Sequence, residues 1–481
     1  MSLESSNRMI RRRQQPAEPL QTATYSRMMD ILSPEDLRRV DATSQSILAK
    51  TGLRIPLDEA RLKQTEKLGL EVDFAEKRVR FPAGSIPELL AKAPRTYTLC
   101  ARDPKYDLPL NGKKGYLCLD GSGTHILDPY TGEVRPSTKR DLEEATRAAD
   151  ALRQIAFLWP CLSAWDTPDA AQPLHELDAM LNNSSKHAQT MTAVTKETAQ
   201  GSVDIAALVT GGYDALYERP IISSFQCSTS PLSYDPTSIE AAFVYAEYGI
   251  PCGFLDMTIG CGTAPASVAG NLVQGNAEVI GGIALLQLFF PGAKTFYGSC
   301  ATVMELKTGG VAGGGPEDVL LQAATAQMAR HYNVPSMAGT FATGAKRADW
   351  HAGVENTLSG VVSTISGAEM MCGAGMLHGA TIFSFEQLVK DCEIFDICCR
   401  FTDGIRIDDD TLAEETIAEV GPGGSYLTDD HTLRHMYGQW APSVFDRTPR
   451  DAQQEGETSG TDIKARRKAM DILASHTPAE L

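Results

Sequence analysis

The chain has 481 residues, 42% of them hydrophobic and 22% charged, which is enough apolar material for a large buried core. A net charge of -17 and a pI near 5.0 exclude an ordinary nucleic-acid partner, because phosphate backbones are held by a basic footprint. No run reads as apolar enough to span a bilayer and the N-terminus lacks the apolar core of a secretory signal, so a cytoplasmic chain without a membrane partner is expected.

Residues 1–24 are polar and rich in Gln, Arg and Pro, so they read as a disordered tail, with Arg11-Arg12-Arg13 solvated within it. Residues 25–140 read as a small α/β extension. It opens on a helix that Ser33 caps, Pro34 starts and Gly52 ends. Strand-like EVDFAEKRVRF and RTYTLCAR follow around a helix IPELLAKA, and a hairpin-like YLCLDGSGTHILDPYTGEV closes the region.

Residues 141–481 are expected to hold a (β/α)8 barrel, the catalytic domain, followed by C-terminal helices. Strand-like runs recur as QIAFLWPCL, HAQTMTAV, PIISSFQCS, PCGFLDMTI, KTFYGSCA, PSMAGTFA and MMCGAGML, with helical segments between them. Their spacing of roughly 30 to 45 residues suits successive β/α units, and an eighth strand is expected near residues 381–400. Alternation this long favours a closed α/β barrel over an open sheet. Eleven scattered cysteines with no C-x-x-C pair read as buried thiols, not as a disulfide or zinc framework.

In a barrel, reactive groups gather at the C-terminal ends of the strands. That rule selects Trp159, Ser163 and Trp165, then Gln226 and Ser228, Asp256 and Thr258, Tyr297 and Ser299, and Phe341 with Thr343. The densest loop is Ala342 to Asn356, which gathers Lys346, Arg347, Asp349, Trp350, His351 and Glu355. His351 and Glu355, four residues apart, share a face if the segment is helical. His431 and His435 have the same spacing, which metals use, but no neighbouring Cys or acid supplies a third ligand, so polar contacts are expected there and no metal site. The glycine strings at 309–316 and 421–425 lack the Lys-Ser/Thr of a phosphate loop and read as turns.

The segment IGCGTAPASVAGNLVQGNAEVIGGIALLQLFFPGAKTFYG, from Ile259 to Gly298, resembles the signature of the corrinoid-dependent trimethylamine methyltransferase superfamily. Further segments follow the family order: LDPYTGEVRPSTKRDLEEATRAADAL from Leu127, NNSSKHAQ from Asn182, GGGPEDVLLQAATAQMARHYNVPS from Gly313, FSFEQLVKDCEIFD from Phe383, and EVGPGGSYLTDDHTLRHMYGQWAPSVFDR from Glu419. The family's archaeal trimethylamine enzymes carry a pyrrolysine in the barrel and this chain has none, so it resembles the wider branch that demethylates quaternary amines such as glycine betaine. DRTPRDAQQEGE near the C-terminus also departs from the family's tryptophan-containing pattern.

The resemblance implies a barrel enzyme that moves a methyl group from a quaternary amine to Co(I) of a corrinoid held on a separate small protein, with no cofactor bound tightly by this chain. A quaternary ammonium has no N–H, so aromatic faces are expected to hold it. His351 and Glu355 are taken as the catalytic pair. Trp165, Gln226, Asp256, Tyr297, Phe341, Trp350 and Lys346 are taken as substrate-binding, and His351, Lys346 or a backbone amide nest as donors to a betaine carboxylate. The expected partners are a methylated amine, the corrinoid protein and further copies of the chain. Two other classes fit less well: a non-catalytic scaffold that binds a corrinoid protein, which the aromatic-rich strand ends disfavour, and a barrel lyase or hydrolase, which needs a metal triad or nucleophile-base pair that these residues do not assemble.

Overall fold

The computed structural model describes residues 18–479 other than 122, 312, 448 and 450–459. Eight parallel strands close into a barrel: β1 (Lys114–Leu119), β2 (Ile155–Leu158), β3 (His187–Gln189), β4 (Ile222–Cys227), β5 (Cys252–Asp256), β6 (Tyr297–Ser299), β7 (Ser336–Gly339) and β8 (Met370–Ala374). Each pairs with the next, and β8 closes on β1 through Met370 opposite Tyr116 and Met371 opposite Leu117. A helix follows every strand: α1 (Lys139–Ala151), α2 (Gln172–Asn183), α3 (Lys196–Thr210), α4 (Pro236–Glu247), α5 (Val268–Phe289), α6 (Pro316–His331), α7 (Trp350–Ile365) and α8 (Phe385–Thr402).

The barrel is as expected, but its seam is not. The missing strand is β1, upstream of residue 140, and the span 381–400 that was expected to supply it is mostly the buried helix α8. KGYLCL was grouped with the hairpin that follows it. The hairpin is real but shorter, His125–Leu127 against Val134–Pro136, with Asp128 accepting from the N–H groups of Tyr130 and Thr131 at its turn. The expected disordered tail falls mostly outside the described residues. Of its last positions, Ala23–Thr24 pair antiparallel with Gly115 and Lys114.

The extension forms the barrel floor. Its first helix, Pro34–Lys50, starts where the Ser33 hydroxyl accepts from the Asp36 N–H, and it packs against α5. Strands Tyr97–Leu99 and Leu108–Leu110 close under the bore: the Cys100 carbonyl meets His187 Nδ1 at 2.7 Å, Tyr116 donates to the Pro109 carbonyl, and Arg95 pairs with Glu369 at 2.9 Å. Burial pulls the His187 pKa down to about 4, so a neutral imidazole lies at this floor.

Helix α5 has the length and apolarity of a bilayer crossing, which the sequence reading did not anticipate. It is buried along most of its length between the barrel and the Pro34–Lys50 helix, where Gly281 and Gly282 admit Leu53 and Phe254 in close contact. Small sheets extend the far end of the barrel. Ile259–Gly260 pairs with Thr302–Val303, and Ile382–Phe383 pairs with both His125–Leu127 and Met376–Leu377, so the loops after β1, β5, β6 and β8 are ordered walls around a mouth.

Candidate active site

Side chains alternate between bore and helix layer along each strand, and contacts settle which face each candidate takes. Trp159, Phe225 and Phe296, at β2, β4 and β6, stack through the bore with centroids 4.9 and 6.5 Å apart. Three alternate strands thus share one layer, as barrel interiors are built. Above the floor, Gln189 donates to Ser223 Oγ at 2.9 Å, and nearer the mouth Met191 closes against Gly121 and Trp159. A Cβ on Gly121 would lie 1.9 Å from Met191 Sδ, so a side chain there would have to displace the end of Met191.

Asp120, at the end of β1, is buried, and its carboxylate accepts one backbone bond, 2.8 Å from the Gly121 N–H. Burial raises its pKa to about 6. Around it lie neutral thiols. Burial pushes Cys118 well up and Cys227 to about 12, while Cys372 is raised first by its hydrogen bond with Cys300 and then by burial. Two further bore atoms have no partner among the described residues, the Trp159 indole N–H and Gln189 Oε1. Buried polar groups are normally satisfied, so the Trp159 N–H, whose ring lies against Gly121 next to Asp120, and the Gln189 acceptor are the bore groups left for a polar ligand.

Several sequence candidates lie one face away. Asp256 Oδ2 would sit 2.4 Å from a Cβ on Gly275 of α5, and Tyr297 donates to Asn276 on the same helix at 3.1 Å. Phe341 packs on Gly360 of α7. Gln226 shares a face with Ser224, which joins Thr190 in the cluster around Tyr245 of α4. These four stand behind the strands in the helix layer. The strand-end rule finds the correct height but not the parity, whereas Trp159, chosen by the same rule, does face the bore. The sequence reading misses Asp120, Gln189 and Met191, because KGYLCL reads as part of a hairpin and not as a barrel strand, and HAQTMTAV carries no charged or aromatic residue at its end to mark it.

Trp165, Lys346, Trp350, His351 and Glu355 occupy the outer rim. Trp350 is 85% exposed, and Trp165 and Lys346 are also exposed. Asp349 caps α7 through the His351 N–H, and His351 Nε2 lies 2.8 Å from Glu355 Oε1, the pairing expected from their spacing. Glu355 Oε2 also accepts from Thr343 Oγ1 at 2.5 Å and from the Gly344 N–H at 2.9 Å, tying down the loop after β7. The His pair at 431 and 435 does gain an acid, Asp410, which sequence distance had hidden.

Residues 4–481 match the family model described as trimethylamine methyltransferase (MTTB). The chain belongs to this family. It is 34% identical to the trimethylamine methyltransferase MttB of Desulfitobacterium hafniense strain DSM 10664 / DCB-2, over 93% of this chain and 90% of the relative. It is 30% identical to the glycine betaine methyltransferase of Desulfitobacterium hafniense strain Y51, over 94% of each. Among solved structures, the monomethylamine methyltransferase MtmB of Methanosarcina barkeri superposes with a TM-score of 0.51 at 11% identity, covering 94% of this chain and 95% of that one, which supports the barrel fold. The chain is therefore a methyltransferase, and the scaffold and lyase or hydrolase readings are set aside.

Proposed function

We propose that this family member takes a methyl group from a quaternary amine of the betaine type and passes it to a corrinoid on a partner protein. One observation carries the reading: a lone buried carboxylate, Asp120, stands among neutral thiols and an indole with an unpaired N–H. A trimethylammonium group offers only a diffuse charge and methyl surface. The Trp159 ring supplies about 0.5 to 2 kcal/mol towards holding it, and Asp120 supplies the counter-charge. The Trp159 N–H is then the donor for a carboxylate at the far end of the substrate.

Charge leaves the nitrogen as the C–N bond breaks, so Asp120 stabilises the bound cation more than the transition state. It is a binding group. The thiol and aromatic lining stabilises charge weakly and excludes water, which favours departure of a neutral amine. A tertiary amine leaves without protonation, so no general acid is required. His351 and Glu355 are assigned to the rim, where they set the loop that substrate passes.

The corrinoid, when docked, supplies Co(I) as the methyl acceptor. The mouth suits a docking partner, since Met257, Leu306, Val311 and Trp165 on loops after β5, β6 and β2, and Trp350 at the start of α7, expose large apolar surface. We also propose a cytoplasmic location, and a homo-oligomer, which the exposed apolar segment after α8 supports. Incubating the purified chain with reduced corrinoid protein and a panel of quaternary and tertiary amines, while following corrinoid methylation spectrally, tests the assignment. Methylation from a betaine and none from trimethylamine is expected; efficient use of trimethylamine overturns the substrate class.

A further inference from the structure

Outside the barrel, the chain leaves α8, runs through short helices Asp409–Leu412, Glu414–Val420 and Asp430–His435, and returns to α8 where Glu393 accepts from the N–H groups of Ser443 and Val444. None of these helices has a buried residue, and helices this short do not persist alone in water. Yet two of them meet at one point. His431 and His435 lie on one face with ring centroids 4.2 Å apart, and both aim Nε2 at Asp410, His435 at Oδ2 and His431 at the backbone carbonyl, each 3.0 Å away.

The ligating atoms of Asp410, His431 and His435 all lie within 4.8 Å of one another. Bonds of about 2.0 to 2.2 Å in a tetrahedral zinc site place neighbouring ligands roughly 3.3 Å apart. The His435 to Asp410 contact at 3.0 Å is already close to that spacing, and no gap needs more than about 1.5 Å of side-chain closure. Two imidazoles and one carboxylate suit a borderline divalent transition ion better than magnesium or calcium, which prefer all-oxygen shells. Arg434 donates to Asp410 Oδ1 at 3.2 Å, an orienting contact of the kind metal-bound carboxylates receive, and Oδ2, now bonded to His435 Nε2, is the oxygen placed for a metal. Asp409, Asp429 and Asp430 beside the three ligands offset its charge.

We propose that Asp410, His431 and His435 bind one zinc-class divalent ion, with water in the fourth position, and that the ion clamps the segment between α8 and Ser443. The ion's role is to hold this segment, and none of its three ligands comes from a loop that follows a barrel strand.

Cobalt(II) is the probe. The full chain, stripped with chelator and titrated, is expected to bind one equivalent with the visible absorption of tetrahedral cobalt and without a thiolate-to-cobalt charge-transfer band, and zinc displaces it. H431N and H435N should each weaken binding by about a hundredfold or more, and zinc should slow proteolysis within residues 403–440 several-fold in the parent chain but not in H431N/H435N. The proposal is overturned if neither metal binds at micromolar free concentration, if the double variant binds equally well, or if the absorption reports cysteine ligation.

Discussion

Asp120 is the residue on which the chemistry turns. Its pKa is raised to about 6 from an ordinary value near 4, so the buried acid is stable while protonated and contributes progressively less to folding as pH rises through about 6. Cation binding has the opposite sign, because it needs the carboxylate and weakens as pH falls through the same range. Asp120→Asn should therefore raise KM for a quaternary amine about tenfold or more at pH 7.5, leave kcat unchanged or slightly higher, and abolish the rise in KM below pH 6. An equal fall in kcat at unchanged KM would place Asp120 in the chemical step instead. Trp159→Phe keeps the ring face but removes the unpaired N–H, so it should weaken a betaine several-fold while sparing tetramethylammonium, which has no carboxylate; an equal loss for both ligands would remove the carboxylate role. His351 bonds Glu355 from an exposed position. His351→Ala should lower kcat/KM about tenfold through loss of a contact worth roughly 1.5 kcal/mol while the Tm stays nearly fixed. Full activity in that variant would remove His351 from the substrate path. The local geometry of this loop was legible in the sequence because i,i+4 spacing fixes a helix face. The bore was less so, since strand parity sets the facing of Asp256, Gln226, Tyr297 and Phe341 and only a neighbouring helix reveals it.

At the scale of elements, buried carboxylates on several barrel helices hold the loops that follow the strands. Glu176 of α2 accepts from the Ala164 N–H and from Thr192 across the loops after β2 and β3. Asp318 of α6 binds Thr302 after β6, and Asp391 of α8 accepts the Gly375 N–H after β8; burial raises their pKa values to about 6 and about 7. Glu278 of α5 serves four donors. It accepts from Ser228 at 2.5 Å, Ser230 at 2.7 Å, the Leu232 N–H at 2.7 Å and Gln274 at 3.1 Å. Glu278→Ala strands several donors at once and should cost about 3 kcal/mol or more, whereas Glu278→Gln, which keeps one acceptor, should cost roughly half. Urea denaturation measures both, and an unchanged midpoint in the alanine variant would mean that the loop finds other partners. Seven strands were readable from short apolar runs at barrel spacing. β1 was not, because no helix precedes it at that spacing, and the span near 381–400 where the eighth strand is expected holds α8, whose Phe385, Leu388, Cys392, Phe395 and Cys399 are buried on several of its sides and blur the helical period.

At the scale of the whole molecule, the barrel is closed at the floor by its N-terminal extension, whereas nothing among the described residues covers the large apolar side chains of the segment after α8. Ile405, Ile407, Leu412, Ile417, Leu427 and Tyr437 are exposed within it, Ile405 at 87% and Leu427 at 85%. A monomer rarely leaves so much large apolar surface in one stretch. Burying these side chains against another copy would stabilise association by roughly 1.5 to 3 kcal/mol for each that is fully covered, enough to offset the cost of ordering short helices that bury nothing of their own. Light scattering is expected to show an oligomer that persists on dilution to low micromolar chain. Ile405→Asp, Ile407→Asp, Leu427→Asp and Tyr437→Ser combined should convert it to monomer while far-ultraviolet circular dichroism and the thermal transition of the barrel stay close to those of the parent. A parent chain that is monomeric across the same concentrations would rule out self-association and leave the segment as a candidate surface for a different protein.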